Sequence, residues 1–353
     1  MMKEIWQYGV FLCVMTMTLP VFALSADKKP TTMAELALYK GADRQQILEA
    51  GAKKEGKLTF YTTGILKQAV SPVVNAFEKK YPYIKVEIWR ASAGPLISKI
   101  VEEFKSGKHV VDAMEVTQTN IQIAREVGII QNFSSPNFSQ MDEESIMPAP
   151  DGGAFAVAFR TTGIGLGYNT KILNSEQVPK TYQDLLDPKW KGKMAICNDT
   201  GVNWAGCIYH TIGEEFLKKL AQQDFVVHMV SGQALLDMII NGEYALSPTI
   251  YDSHVYGSRK LGAPVAWVPL EPVRVSIGQI ALAKHSPNPH AALLFADFEL
   301  SKESGELHKS VGYGSFRKDI SPLGRPFKKY FGTYTAADIK AEYELFNKLF
   351  VKK

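Results

Sequence analysis

Cysteine is scarce in this sequence: Cys13, Cys197 and Cys207 are the only three, too few for a disulfide framework. No C-x-x-C, H-E-x-x-H or G-x-S-x-G occurs, which removes the familiar redox, zinc-hydrolase and serine-hydrolase arrangements. The seven histidines are scattered, and His285 and His290 fall in a proline-rich turn where solvation explains them. The paired acids Glu102-Glu103 and Glu143-Glu144 are sequence neighbours, so they point apart on a helix and read as solvated faces. No catalytic constellation is left, and an enzyme is not expected. Charge of one sign is also lacking. Lys and Arg total 40 against 36 Asp and Glu, a net charge of +4, and no basic run is interleaved with aromatics, so nucleic acid is not an expected partner. No apolar run reaches the roughly 20 residues that span a bilayer.

The longest such run, from about Tyr8 to Val21, follows Lys3 and ends in small residues at Ala23, Ser25 and Ala26. That is the layout of a cleavable export signal over residues 1–26. Cys13 follows Leu12 instead of a small residue, so no lipid anchor is expected, and the mature chain is expected in the periplasm as a soluble monomer. Cys197 and Cys207 remain after cleavage. An oxidising compartment allows them to pair, and two separate buried thiols are an equally open reading.

What is present is an alternation of short apolar strands and amphipathic helices. Residues 34–56 form an N-terminal helical segment interrupted at Gly41. Strands follow at 57–61, 85–89 and 110–116, with Val70, Val73, Val74 and Phe77, then Leu96, Ile97, Ile100, Val101 and Phe104, on helical faces between them. Such alternation predicts parallel βαβ units. Residues 154–169 are an extended crossing in which Gly163, Gly165 and Gly167 alternate with bulky residues; neither G-x-G-x-x-G nor a P-loop can be completed there, and no cofactor is expected. Thr181 to Asp184 is a capping box. The alternation resumes through 194–196, 233–240, 244–247 and 265–268, and residues 273–283 cross back. The fold class is therefore α/β, two lobes of mostly parallel sheet flanked by helices and joined by two crossing strands. Lobe one takes residues 27–159 and 275–353, completed by the helices at 289–300 and 336–350, and lobe two takes 160–274.

Several segments together resemble the periplasmic solute-binding proteins of ABC importers, in the branch that includes iron(III) binders. They are KLTFYTTG after Gly56 with NAFEKKYPYIKVE, PKTYQDLLDPKWKGKMAI from Pro179, GQALLDMIINGEYAL from Gly232, GAPVAWVPLEPV from Gly262, and SPNPHAALLFADFELSKESG from Ser286. The resemblance implies a hinged receptor that closes on a small ligand and delivers it to a membrane permease. It departs from the iron binders where they place a His or acid after the first strand, since this chain has Thr62, Thr63, Gly64 and Ile65, and it has no adjacent tyrosine pair. Single tyrosines at Tyr61, Tyr251, Tyr256 and Tyr313 keep ferric ion as the second reading, because phenolate oxygens suit a hard cation.

In open α/β sheets the ligand lies beyond the carboxyl ends of the strands. That places Thr62, Thr63, Gly64, Arg90, Ser92, Gly94, Thr117 and Gln118 in lobe one, and Asn198, Asp199, Thr200 and Tyr251 in lobe two, around the ligand. Several stand at helix starts, where unpaired N–H groups favour an anion, although capping alone explains Ser92 and Thr200. Arg90, Arg160 and Arg274 fall at a strand end and at the two crossings, positions suited to an arginine clamp for a carboxylate, phosphonate or sulfonate. An ion pair with Glu115, Asp112 or Glu271 is the competing reading. Trp204 and Tyr251 are either stacking partners or core. The expected ligand is a small anionic or zwitterionic organic solute.

Overall fold

The computed structural model describes residues 29–324, 326–332 and 336–351; the expected export signal lies outside them. No helix among the described residues is long and apolar enough to cross a membrane.

Two helices, α1 (Met33–Leu38) and α2 (Arg44–Glu55), lead into β1 (Lys57–Thr62). β1 is buried over all but its first residue and pairs in parallel with β2 (Lys85–Arg90) and β3 (Ala113–Val116), as a central strand covered on both faces must be. Helices α3 (Ser71–Lys80), α4 (Ala93–Lys105) and α5 (Gln118–Val127) follow the three strands. Their buried positions, Val73, Val74 and Phe77 in α3 and Leu96, Ile97 and Ile100 in α4, are those the three-and-four spacing marks. β3 is shorter than its apolar run. The carboxylate of Asp112, just before it, accepts hydrogen bonds from the Thr59 amide at 2.7 Å and the Asn288 amide at 2.8 Å, a staple between β1 and the segment ahead of the helix at 289–299, while its own N–H donates to the Thr59 carbonyl at 3.0 Å.

Short strands β4 (Ile130–Gln131) and β5 (Ile146–Pro148) precede β6 (Ala154–Asn169), a 16-residue strand that leaves lobe one and enters lobe two. There the chain forms β7 (Ala195–Cys197), α6 (Asn198–Thr211), α7 (Glu214–Ala221), β8 (Val226–His228), α8 (Gly232–Asn241), β9 (Leu246–Tyr251), α9 (Asp252–Lys260) and β10 (Val265–Val268). β9 runs through Pro248, beyond the strand the apolar pattern suggests. The irregularity opposite, where pairing steps from Gly165↔Ile250 to Gly167↔Ser247, is where a strand tolerates a residue with no N–H. β11 (Val273–Ala283) crosses back antiparallel to β6, from Arg274↔Ile164 to Ile280↔Val157, and its far end pairs with β3.

The alternating glycines of β6 are a packing device. A Cβ on Gly165 would lie 2.5 Å from the Trp267 ring, and one on Gly167 2.8 Å from Ile250. Neighbours pack there at a distance only a bare Cα permits.

Helix α10 (Pro289–Glu299) returns to lobe one, where Phe295 meets Phe60 and Phe77 at ring separations of 4.7 and 5.1 Å. Helix α11 (Lys302–Ser310) and β12 (Gly314–Ser315) follow. The last helix corrects an expectation. After β13 (Lys329–Tyr330), α12 (Ala336–Phe350) does not complete lobe one; it packs on α6 and α7, with Phe346 and Phe350 in the same core as Trp204, Leu217 and Phe225. An amphipathic pattern shows that a helix has a buried face, not which core receives it. The chain therefore crosses three times, the third time between β12 and α12.

Candidate binding cleft between the lobes

Register alone places the cleft. Val116, ending β3, pairs with Gln279, which stands opposite Ala158, whereas Tyr251, ending β9, pairs with Ile164. The carboxyl ends of β3, by way of β11, and of β9 thus fall at points on β6 six residues apart, ~20 Å at ~3.3 Å per residue. They face each other across the middle of the crossing strands.

On the lobe-two side, α6, α8 and α9 begin at the ends of β7, β8 and β9. A Cβ on Gly232, the first residue of α8, would stand 3.5 Å from Thr200 in α6 and 3.6 Å from His254 in α9, so the three helix starts converge. Ser231 caps α8, whereas α6 and α9 have no side-chain cap. Their first N–H groups and helix dipoles supply positive potential. Asn198, the first residue of α6, is half-buried; Tyr251 is half-buried just before α9, its ring 5.1 Å from that of His254. Burial pushes the His254 imidazole down to about 4, so the ring is neutral near pH 7. Thr200 is not a cap and is fully buried: its hydroxyl donates to the Thr249 carbonyl at 2.5 Å, fastening α6 to β9. The Asp199 side chain lies outside what the structure describes.

On the lobe-one side, Ser92 and Thr117 occupy the residues before α4 and α5 in extended conformation, and neither makes a side-chain cap hydrogen bond. Capping therefore does not account for them. Ser92, Gly94 and Arg90 are exposed, Thr63 and Gln118 half-buried, and Arg90 approaches the Gly64 carbonyl at 3.4 Å. A side chain at Gly94 would meet nothing.

Beneath this rim lies a buried polar network. Glu115 in β3 ion-pairs with Arg160 in β6 and accepts from the Thr62 hydroxyl and, at 3.0 Å, from the Gly64 amide. Burial opposes ionising Glu115, yet the Arg160 charge and the Thr62 hydrogen bond outweigh it and hold the carboxyl below its ordinary range. The Arg160 guanidinium also lies over the Tyr313 ring at 4.6 Å. On the same face of β6, two residues along, the Thr162 hydroxyl and the Gly163 amide donate to Asp252 of α9 at 2.7 and 2.9 Å. Burial raises the Asp252 carboxyl to about 6, and these hydrogen bonds offset it only in part.

The three-arginine clamp is corrected by this geometry. Arg160 is buried in its pair with Glu115, the competing reading at sequence level. Arg274 is buried in lobe two, donating to Asn203 at 3.1 Å. Of the three, Arg90 is the one on the cleft rim. Thr62 likewise belongs to the buried network, and Trp204 is core. Cys197 and Cys207 are both buried, and no disulfide joins them. The tyrosines are dispersed as well: Tyr61 donates to Glu103 at 3.1 Å, Tyr313 lies under Arg160, Tyr256 lies under Lys260, and Tyr251 alone of the four stands at a lobe-two strand end. Sequence reasoning missed His254, and it named Glu115 as an ion-pair partner without its bonds to Thr62 and Gly64. A histidine three residues past a strand end, on the first turn of a helix, was the available signal for the former.

Residues 114–318 match the sequence profile described as bacterial extracellular solute-binding protein. A Haemophilus influenzae protein described as uncharacterized is 27% identical over 274 residues, 74% of this chain and 77% of that protein. Among solved structures, iron-bound HitA from Pseudomonas aeruginosa superposes with a TM-score of 0.70 at 19% identity, over 83% of this chain and 99% of that one. AfuA from Actinobacillus pleuropneumoniae, with fructose-6-phosphate bound, gives 0.64 at 22% identity over 83% and 97%. At these identities the structures show a shared two-lobed fold.

Proposed function

Because this chain belongs to the bacterial extracellular solute-binding protein family, the solute-binding components of ABC transporters, we propose that it captures a small anionic or zwitterionic organic solute in the cleft between its strand ends. The solute then passes to a membrane permease from outside the cytoplasm. The observation that carries the ligand class is the convergence of the α6, α8 and α9 starts around Gly232, faced across the cleft by the Ser92 and Thr117 hydroxyls and Arg90. Donors dominate both walls, and His254 is neutral, so the wall offers hydrogen bonds without a fixed buried charge. Closure hinges on β6 near Arg160–Gly163 and on β11 near Val275–Gly278, where the chain passes from one lobe to the other. This hinge placement is the basis for dividing the lobes there.

A thermal-shift and calorimetric panel of sugar phosphates, phosphonates, carboxylates, amino acids and ferric citrate tests the reading. An organic anion is expected to raise the melting temperature, by the equivalent of about 2.7 kcal/mol at a hundredfold excess over Kd, with Arg90→Ala weakening it about tenfold, or 1.4 kcal/mol. Stabilisation by ferric ion alone, with a visible tyrosinate-to-iron absorption band, would instead establish the ferric reading.

A further inference from the structure

Along α9, from its first residue Asp252, a cavity of about 580 Å³ opens between that helix and the third crossing. That volume is ample for a small organic molecule. From α9 it takes Asp252, Val255, Tyr256 and Arg259, spaced three and four apart and so on one face of the helix. His254, which faces Gly232 and the cleft, falls on the opposite face. The other walls include Trp267 at the end of β10 and Phe327 in the third crossing, their rings 5.7 Å apart. The Trp267 indole N–H is already donated to the Ile250 carbonyl at 2.9 Å, which leaves the ring surface as an apolar wall. Charge at this cavity favours an anion. Arg259 is exposed and has no ion-pair partner among the described residues. Lys260 lies over the Tyr256 ring at 5.2 Å and donates to the Ser310 carbonyl at 2.5 Å. The single acid of the lining, Asp252, has its Oδ1 turned to Thr162, Gly163 and its own helix start.

We propose that this cavity is a second ligand site, for an organic monoanion whose aromatic or branched apolar body lies on Trp267, Tyr256 and Phe327 and whose carboxylate or sulfonate meets Arg259. Aromatic walls with two cations at the rim, Arg259 and a Lys260 already held by Tyr256 and the Ser310 carbonyl, select that combination over a sugar, which needs several hydrogen-bonding groups, and over a cation. The site is independent of the ligand assigned to the cleft. It also touches the hinge: a Cβ on Gly163 would lie 3.3 Å from Phe327 and 3.5 Å from Asp252. An occupant wedged between α9 and the third crossing therefore braces β6 where the lobes turn, and its binding is coupled to closure.

Anilinonaphthalene sulfonate, an aromatic sulfonate that fluoresces on apolar contact, is the probe, titrated into the folded full-length protein. We expect saturable single-site binding with energy transfer from Trp267, weakened about tenfold by reversal of the rim charge in Arg259→Glu and lost when Leu323→Trp fills the cavity. Trp267→Phe, which keeps an aromatic wall, should retain the probe while losing most of the energy transfer. Lack of saturable binding, unchanged affinity in both Arg259→Glu and Leu323→Trp, or undiminished energy transfer in Trp267→Phe would each overturn the assignment.

Discussion

The Arg160 guanidinium and the Glu115 carboxylate hold one another in a space almost closed to water, at 10% and 3% side-chain exposure. Such a pair contributes little by existing but is costly to break, because the survivor is a buried unpaired charge. Arg160→Ala is expected to lower unfolding stability by about 3–5 kcal/mol in urea titration, whereas the double change Arg160→Met with Glu115→Gln recovers most of the loss. A single variant no worse than the double would rule out the charge-pair account. Asp252 behaves differently. Its folded carboxyl is raised from 3.8 to about 6, so the native state holds the proton more tightly than the unfolded chain. Its contribution is full below about pH 4 and lost as pH rises through about 6. Asp252→Asn should flatten that part of the stability profile; an unchanged slope between pH 4 and 7 would place the titration elsewhere. For Arg160 the sequence offered Glu115 as one of three partners, and the fold selected it.

Among the elements, β6 shows how a local pattern is legible while its purpose is not. Gly163, Gly165 and Gly167 are visible as an alternating run, and the absence of a completed phosphate loop follows from spacing alone. The role of Gly165 and Gly167 depends on Trp267 and Ile250, a hundred and more than eighty residues away, which no local pattern contains. Gly165→Val is expected to cost about 1–3 kcal/mol or more by overpacking and to shift the near-ultraviolet signal of Trp267. A stable variant with an unaltered tryptophan spectrum would show that the strand can move aside. Helix α12 carries the same lesson. Its apolar face was evident, but its host was not, since lobe one and lobe two both offer an apolar surface. Phe346 is fully buried against α6, and Phe346→Ala should cost about 3–5 kcal/mol. Hydrogen exchange should then rise in α6 and α7 while α2 and α10 stay protected. Faster exchange confined to lobe one would return the helix to the place the sequence suggested.

For the whole molecule, three crossings tie two lobes, each with two apolar clusters of its own, and Trp267 packs against one cluster of each. Such an arrangement bends at the middle of β6 and β11 more easily than it deforms within either lobe, because the packed cores resist change and the linking segments do not. Small-angle scattering should show a smaller radius of gyration on addition of the cleft ligand found by thermal shift. No change at saturating ligand would mean that the lobes bind without closing.

The sequence by itself determined the strand and helix alternation, the two extended crossings, and the family, because each follows from local periodicity or from ordered short segments. Tertiary structure alone decided that Arg160 and Arg274 are buried with partners of their own, that Thr200 fastens α6 to β9, that His254 joins the converging helix starts, and that the final helix belongs to lobe two. The physical reason is shared by all four. A side chain's burial and partner are set by what other segments bring to it, and for Arg160, Arg274 and Thr200 that partner is 45 to 71 residues distant.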